Sequence, residues 1–353
     1  MAQGRMVMAV FEKVAVIGAG SWGTAVAAIA ARAEGPSKVC LWARRPEVAS
    51  LIAGSHMNPD YLPGIALPRL LEATSSIEAA VGDADLVVMA VPSHGFRKVL
   101  LEMAGSVELG TPVVSLSKGL EEGTHLRMTE VIAEVLPGSP AGVLSGPNLA
   151  REVVQGQPAA TVVAMKDSRL AAMVQKLLTT PSFRVYTNPD VVGSEVAGAT
   201  KNVIAIAVGI CEGLGLGDST RAALVTRGLA ELGRLGVAMG GHRMTFAGLA
   251  GVGDLVATCV SPLSRNKSVG IALGRGMSLG EALEGMQMVA EGVRSAHPLL
   301  ELAATYGVEM PIATQVAAVL DGISTPEQAV PALMQRPARS EAEGYGARGE
   351  DRA

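Results

Sequence analysis

The residue best suited to chemistry is Lys201, which lies in the small and apolar segment Val196 to Ile206. A helix that is apolar almost all round is buried. The positions three and four residues away on either side hold no carboxylate that could neutralise the ammonium. Burial lowers the pKa of a lysine from about 10.4 toward neutrality, where the amine can exchange protons. The segment therefore predicts a general acid or base. A lysine that reaches the surface is the alternative.

Two further polar sites follow Lys201 in the sequence. Asp254 comes after a glycine-rich stretch and is expected to open a helix, where an N-cap would be its ordinary role. Ser264, Arg265 and Asn266 stand at another expected helix start. Together they would offer a hydroxyl, a guanidinium and backbone donors to an anion such as phosphate. A capped surface loop remains the alternative for these three residues.

A glycine-rich loop near the N-terminus, Gly18-Ala19-Gly20-Ser21-Trp22-Gly23, matches the dinucleotide-binding fingerprint. In that fingerprint the first glycine allows a tight turn, and the second lets backbone N–H groups reach the pyrophosphate. The third glycine permits close helix–strand packing, and the helix N-terminus adds partial positive charge. Because an apolar run precedes the loop and an Ala-rich stretch follows it, the pattern predicts a nucleotide cofactor rather than a purely structural turn.

The turn after the second apolar run bears on which nucleotide binds. NAD-specific sites usually place an acidic residue there to hold the ribose 2′-hydroxyl. Here Lys38 to Trp42 leads into Ala43, Arg44 and Arg45. Guanidinium groups can pair with the 2′-phosphate of NADP, so NADP is favoured and NAD stays open. The alternative is a solvated basic turn.

The elements that must position these residues divide the chain in two. From Lys13 to about Tyr186, short apolar runs alternate with helical stretches, which indicates a parallel sheet covered on both faces. The expected strands are 14–17, 38–42, 85–91, 112–117, 143–145, 160–164 and 183–186, with helices over 24–34 and near 168–178. We therefore expect an α/β fold: a Rossmann-type dinucleotide-binding domain (1–190), an all-helical substrate domain (191–333) and a disordered tail (334–353).

Composition excludes several classes of protein. The chain has 353 residues, 49% hydrophobic and 18% charged, and a net charge of −4. That balance argues against a nucleic-acid partner. The mean hydropathy is +0.35, yet the most apolar run, Val203 to Cys211, is too short to span a bilayer, and no signal peptide is recognised. The three scattered cysteines form neither a disulfide framework nor a metal pattern, which fits the cytoplasm.

Several motifs, in this order, resemble the bacterial NAD(P)-dependent glycerol-3-phosphate dehydrogenases. The first half carries Val16–Ala25, Val91-Pro92-Ser93-His94, Ser117–Glu121 and Ser145-Gly146-Pro147; the second carries Lys201–Ala205, Thr226–Glu231, Gly253-Asp254-Leu255, Ser264-Arg265-Asn266 and Glu291-Gly292. The resemblance covers residues 14 to 311, nearly the whole folded part. It implies reversible reduction of dihydroxyacetone phosphate to sn-glycerol 3-phosphate for phospholipid synthesis.

The resemblance also implies roles for individual residues. Lys201 would donate the proton to the ketone, with Asp254 beside it and Lys118 beside both cofactor and substrate. The implied substrate-binding residues are Lys118, Gly146, Asn148, Lys201, Asp254, Ser264, Arg265 and Asn266. The implied cofactor-binding residues are Gly18, Gly20, Ser21, Trp22, Gly23, Arg44, Arg45, Lys118, Ala150, Arg265, Val289 and Glu291. No residue is assigned to a metal, and a homodimer is the expected oligomeric state.

One departure from the family pattern concerns Asn148, which stands where the family usually has Ser or Thr. An asparagine still donates a hydrogen bond, so we expect activity but leave its substrate contact open. Two rival functions also stay open. One is a related reductase that uses a helix lysine on a β-hydroxyacid, and the other is a non-catalytic NADPH sensor.

Overall fold

The computed structural model describes residues 11–284, 286, 290–338 and 340. An α/β domain comes first and a helical domain follows, as expected. The strands are β1 (Lys13–Ile17), β2 (Lys38–Trp42), β3 (Met57–Asn58), β4 (Leu62–Ala66), β5 (Leu71–Thr74), β6 (Leu86–Met89), β7 (Val113–Ser115), β8 (Ala141–Ser145), β9 (Ala159–Met165) and β10 (Phe183–Asn188). The helices of this half are α1 (Ser21–Ala30), α2 (Pro46–Ser55), α3 (Ile77–Val81), α4 (Ser93–Met103), α5 (Met128–Val135), α6 (Ala150–Val154) and α7 (Ser168–Leu178).

Eight strands form one sheet in the order β10-β9-β8-β7-β6-β1-β2-β5. Six of them are parallel, but β8 and β9 pair antiparallel, so β9 and β10 run the other way. The expectation of a wholly parallel sheet was therefore wrong at this edge. The connection after β8 holds only the five-residue helix α6. A parallel β9 would require the chain to return to the opposite end of the sheet before the strand begins. At about 1.5 Å per residue, α6 is too short to make that return.

The expected strands all form; β2 has the expected ends, and the ends of the others differ by at most two residues. The first helix begins and ends earlier than expected, at Ser21–Ala30. Sequence reasoning missed β5 and the β3–β4 hairpin, which are short and contain exposed residues. β1, β2 and β6 are almost wholly buried, and their continuous apolar runs made them recognisable.

Among its described residues, the second half has helices and no strand. They are α8 (Val191–Gly213), α9 (Asp218–Ala238), α10 (Arg243–Phe246), α11 (Asp254–Val260), α12 (Arg265–Gly274), α13 (Leu279–Leu283), α14 (Glu291–Thr305), α15 (Pro311–Leu320) and α16 (Pro326–Met334), with a π-helical turn over Leu249–Gly253. β10 ends two residues before Asp190, whose carboxylate caps α8. The domain limit at residue 190 stays a prediction. Most of the expected disordered tail, residue 339 and residues 341–353, lies outside the described residues.

Two segments are long and apolar enough to cross a membrane by composition alone. The first is α8. Its most apolar 18-residue stretch is 94% buried inside the protein, as in a core helix. The second, Arg243–Val260, is 39% buried and consists of α10, the π-helical turn and α11 rather than one continuous helix.

The helices α8 and α12 touch through their backbones. A Cβ placed on Gly270 would lie 2.1 Å from the carbonyl oxygen of Ile206, and one on Gly209 would lie 2.2 Å from that of Lys267. Gly213 and Gly274 are equally crowded one turn further on. Only glycine fits at this crossing, which brings the N-terminal end of α12 close to the middle of α8.

Candidate active site

Two lysines from different halves of the chain meet on one buried carboxylate. Lys118 lies three residues beyond β7, Lys201 lies in α8, and Asp254 is the first residue of α11. The Lys118 ammonium donates to Asp254 Oδ2 at 2.7 Å, and the Lys201 ammonium donates to Asp254 Oδ1. The side chain of Asp254 is only 3% exposed and that of Lys201 only 6%. Sequence reasoning named all three residues, and the structure brings them together.

The pKa of Lys201 is lowered to about 8. Burial is the main cause, since it removes water from the ammonium, and the positive charge of Lys118 lowers the pKa further. Asp254 opposes both effects because its negative charge favours the protonated amine. An amine with this pKa can both donate and accept a proton near neutral pH.

A chain of hydrogen bonds ties Lys118 to the helical half. Asn202 Nδ2 donates to the Lys118 carbonyl at 3.1 Å, and Asn202 Oδ1 accepts from Asn266 Nδ2 at 2.9 Å. Asn266 Oδ1 in turn accepts from the backbone N–H of Gly292. These bonds connect the loop that follows β7 to three helices, which are α8, α12 and the start of α14. They also use one N–H and one acceptor position of the Asn266 amide, whose contact with substrate stays a prediction.

A second link between the halves lies six residues before Lys201. The carboxylate of Glu195, in α8, accepts from Arg127 at 2.6 Å and from the Thr129 hydroxyl and N–H at 2.6 and 2.9 Å. Thr129 lies in the first turn of α5. Burial raises the pKa of Glu195, against the opposing charge of Arg127. The helix that carries Lys201 is therefore fixed to the dinucleotide-binding half.

The residues of the expected anion site lie at the start of α12. Ser264 is the N-cap of α12 and accepts from Lys267 N at 3.3 Å, but it is buried rather than part of a surface loop, and its contact with substrate stays a prediction. Arg265 is the first residue of α12 and is exposed. Glu291 begins α14, and burial raises its pKa while the charges of Arg265, Lys118 and Lys201 oppose that rise. A helix start with an exposed guanidinium suits a phosphate.

The glycine-rich loop has the geometry of a pyrophosphate cradle. Gly18 has φ +119°, and a Cβ there would lie 2.6 Å from the Ala90 carbonyl oxygen. A Cβ on Gly23 would lie 2.0 Å from the Gly18 carbonyl oxygen, whereas one on Gly20 would meet nothing within 4 Å. Gly20 thus leaves open space before the N-terminus of α1, and the residues present fit a dinucleotide. The loop follows β1, next to β6 and close to β7, beyond which Lys118 lies.

The two arginines after β2 differ in their surroundings. Arg45 is the N-cap residue of α2, and its guanidinium pairs with Asp60 and lies 3.8 Å from Glu47. Arg44 is exposed, and its charge helps to lower the pKa of His94 at the start of α4, after burial and Arg294. Arg44 is therefore the better candidate for a contact with a 2′-phosphate.

The other residues that were expected to bind the cofactor lie near the start of α1, in α6 or outside the described residues. The Ser21 hydroxyl donates to the Tyr61 carbonyl at 2.9 Å, and Trp22 packs edge-on against Phe183 at 6.1 Å between ring centroids. Ala150 begins α6, which packs against α1. Val289 lies outside the described residues.

Gly146 and Asn148 follow β8 and face different ways. The Gly146 carbonyl accepts from the Lys118 ammonium at 3.0 Å, so it belongs to the cluster. Asn148 is bonded to β9 instead, because its Nδ2 donates to the Ala160 carbonyl and its Oδ1 accepts from the Thr161 hydroxyl. These bonds use one N–H and one acceptor position of the amide, and the substrate contact of Asn148 stays a prediction.

Sequence reasoning missed two residues of the cluster. Thr258 accepts a hydrogen bond from Lys201 Nζ at 2.7 Å and donates to the Asp254 carbonyl. Its position four residues after Asp254, on the same face of α11, was an available signal. Asn202 was quoted within a motif, but its bond to Lys118 could not be foreseen from sequence.

A dinucleotide fold with a buried acid–base cluster beside its strand ends defines a two-domain dehydrogenase. Two family models match: the NAD-dependent glycerol-3-phosphate dehydrogenase N-terminus over residues 13–171 and its C-terminus over residues 190–331. The chain belongs to that family.

Individual relatives agree with the family assignment. A glycerol-3-phosphate dehydrogenase [NAD(P)+] 2 of Sphingopyxis alaskensis is 54% identical over 89% of this chain and 93% of its own length. A glycerol-3-phosphate dehydrogenase [NAD(P)+] of Thermobifida fusca is 52% identical over 93% and 98%. The crystal structure of glycerol-3-phosphate dehydrogenase from Coxiella burnetii is 38% identical over 92% of this chain and 99% of that one, with a TM-score of 0.88.

Proposed function

We propose that this protein reversibly reduces dihydroxyacetone phosphate to sn-glycerol 3-phosphate with NAD(P)H. The observation that carries the proposal is the pair of ammonium groups, Lys118 and Lys201, on the buried Asp254. This pair lies near the strand ends where the glycine-rich loop begins. Membership of the family, whose relatives carry this activity in their names, supports the same reaction.

The bound nicotinamide would supply the hydride, and the residues of the chain do the rest. Reduction places negative charge on the carbonyl oxygen of the substrate. In our proposal Lys201 donates the proton to that oxygen, and Lys118 stabilises the developing charge. Asp254 keeps Lys201 protonated despite its burial. Arg265 and the start of α12 hold the phosphate, with Ser264 and Asn266 shaping that helix end. In the oxidative direction Lys201 takes the proton back.

We propose that the dinucleotide lies on the loop Gly18–Gly23, with its adenosine ribose toward Arg44. The finer assignments to Ser21, Trp22, Arg45, Ala150, Val289 and Glu291 stay predictions. Because Arg45 already pairs with Asp60, the proposed preference for NADPH depends mainly on Arg44. NADH remains a second cofactor in the proposal.

The experiment that tests this function follows oxidation of NADPH with three substrates. Dihydroxyacetone phosphate should be turned over far better than unphosphorylated dihydroxyacetone or a keto acid that carries a carboxylate in place of the phosphate. Preference for the carboxylate would favour the β-hydroxyacid reductase. NADPH binding without turnover of any of the three would favour the sensor.

Three further proposals concern the cellular setting. We infer a cytoplasmic location from the three buried free thiols, Cys40, Cys211 and Cys259. The product would serve phospholipid synthesis. The homodimer stays a prediction that light scattering on the purified protein can test.

A further inference from the structure

The β3–β4 hairpin reaches over the glycine-rich loop from the edge of the sheet. Asn58, in β3, is 1% exposed. Its Nδ2 donates to the carbonyl of Ala19 at 2.9 Å and to the hydroxyl of Thr24 at 2.8 Å. Ala19 lies between the first two glycines, and Thr24 lies in the first turns of α1. A carbonyl can only accept a hydrogen bond, so the nitrogen of the Asn58 amide must face Ala19.

The bond to Ala19 fixes the direction of the peptide that joins Ala19 to Gly20. In a planar trans peptide the C=O and the following N–H point to opposite sides. Because Asn58 holds the Ala19 carbonyl on the buried side, the Gly20 N–H is directed away from Asn58. A Cβ on Gly20 would meet nothing within 4 Å, so this residue borders open space. That is where backbone groups of such a loop receive a pyrophosphate.

The second bond fixes the loop to the helix. Thr24 is fully buried, and its N–H donates to the Gly20 carbonyl at 2.9 Å in the first turn of α1. Asn58 therefore holds the loop and the helix N-terminus in one relative position. Its Oδ1 has no hydrogen-bond partner among the described residues. Burying an unpaired acceptor costs stability, so the amide is poorly explained by stability alone.

We propose that Asn58 is a positioning residue that preorganises the glycine-rich loop for the dinucleotide pyrophosphate. The proposal rests on the cofactor use stated above. A preorganised site avoids the cost of ordering the loop on binding. Loss of Asn58 should therefore weaken NADPH binding. It should leave the turnover of the enzyme with bound cofactor unchanged, because the lysine cluster is intact.

The test compares Asn58→Leu, which keeps the approximate volume but removes both N–H donors, with a variant that loses one bond and with a control in the core. Thr24→Val removes one of the two bonds but leaves the bond to Ala19. Val174→Ala creates a defect in the core of the same domain, in α7, far along the chain from the loop. For each variant, the Kd for NADPH is measured by cofactor fluorescence and the free energy of unfolding by urea denaturation without cofactor.

We expect Asn58→Leu to raise the Kd for NADPH by about tenfold or more, the scale of one hydrogen bond near a charged group. With saturating NADPH, its kcat and its KM for dihydroxyacetone phosphate should stay near the wild-type values. Val174→Ala should bind NADPH within about threefold of wild type, even where it unfolds more easily. Thr24→Val, which keeps the bond to Ala19 but loses the bond to the helix, should have a Kd between those of wild type and Asn58→Leu.

An unchanged Kd in Asn58→Leu would overturn the proposal, as would an equal weakening in Val174→Ala. If Asn58→Leu fails to fold, Asn58→Asp, which has the same shape and no donor at neutral pH, takes its place with the same expected result. A wild-type protein that does not bind NADPH would contradict the proposed function itself. That outcome is distinguishable because it appears before any substitution is made.

Discussion

The glycine-rich loop and the lysine cluster meet near the same strand ends but are built in opposite ways. The loop offers backbone groups from six consecutive residues, Gly18 to Gly23, and depends on the absence of side chains. The cluster offers side chains from Lys118, Lys201 and Asp254, which are far apart in the sequence and lie in both halves of the protein. The loop is thus a local structure, whereas the cluster exists only when the two halves are packed together.

This difference means that the two regions should fail in different ways. A methyl group is enough to damage the loop, because two of its glycines have no room for a Cβ. The cluster tolerates changes of shape better than changes of charge, because a buried ammonium must stay paired. Substitutions in the loop should therefore alter cofactor binding, and those in the cluster should alter turnover and its pH dependence.

The largest effect is expected for Lys201→Ala. General acid–base catalysis contributes about 10²–10⁴-fold, so kcat should fall by that amount. The Kd for NADPH should change by no more than a few-fold, because Lys201 lies outside the dinucleotide domain. Lys201→Met, which keeps the length of the stem, controls for the cavity. Steady-state kinetics with a near-normal kcat would remove Lys201 from the mechanism.

The corresponding substitution in the glycine-rich loop is Gly23→Ala. Its Cβ would lie 2.0 Å from the Gly18 carbonyl oxygen, so the turn between β1 and α1 must open. We expect the Kd for NADPH to rise by about 100-fold or more, with a lower free energy of unfolding, because an overpacked site costs about 1–3 kcal/mol or more. Gly20→Ala is the control for stability, since a Cβ there meets nothing within 4 Å. Tight NADPH binding by Gly23→Ala would contradict the cradle geometry.

Arg265→Ala tests whether the start of α12 binds the phosphate. A charge-assisted contact is worth about 1.5–3 kcal/mol, so the KM for dihydroxyacetone phosphate should rise about 10–150-fold. The KM for unphosphorylated dihydroxyacetone should rise much less. If both substrates lose equally, Arg265 does not recognise the phosphate.

Arg44→Glu tests cofactor choice at the edge of the loop region. The glutamate can accept a hydrogen bond from the 2′-hydroxyl of NADH and repels the 2′-phosphate of NADPH, so the preference should shift toward NADH by about tenfold. Arg45→Glu should shift it less, since Arg45 is held by Asp60. The measurement is kcat/KM for both cofactors at fixed ionic strength. Unchanged ratios in both variants would show that neither arginine contacts the ribose.

The smallest effect, and the most specific, is a displacement of the pH profile. If Lys201 donates the proton as proposed, reduction requires its protonated form, so kcat/KM for dihydroxyacetone phosphate should fall as the pH rises through about 8. Asp254→Asn removes a negative charge that raises the pKa of Lys201, and its profile should break at lower pH. Lys118→Met removes a positive charge that lowers the pKa, and its profile should break at higher pH. Shifts in the same direction in both variants would refute this account of the cluster.

The comparison also explains what the sequence could predict. The loop was recognisable because its glycines, the strand before it and the helix after it are adjacent in sequence. Lys201 was recognisable from its apolar helix alone, but its partners Asp254 and Thr258 depend on how α11 packs against α8. The direction of β9 and the hairpin that carries Asn58 were missed because apolar runs do not encode strand direction, and β3 has only two residues.

The crowded glycines between α8 and α12 make the size of the proposed substrate site and the stability of the fold depend on the same helix spacing. Lys201 and Arg265 both lie on the N-terminal side of that crossing, so the spacing of the two helices affects the gap between the proposed proton donor and the group proposed to hold the phosphate. Side chains usually keep helix axes about 8–10 Å apart, whereas glycines allow a closer approach. A methyl on Gly270 would have to widen the gap and weaken the packing in a single step. Selection for a longer phosphorylated ketone would therefore have to rebuild this helix pair rather than only the residues that touch the ligand.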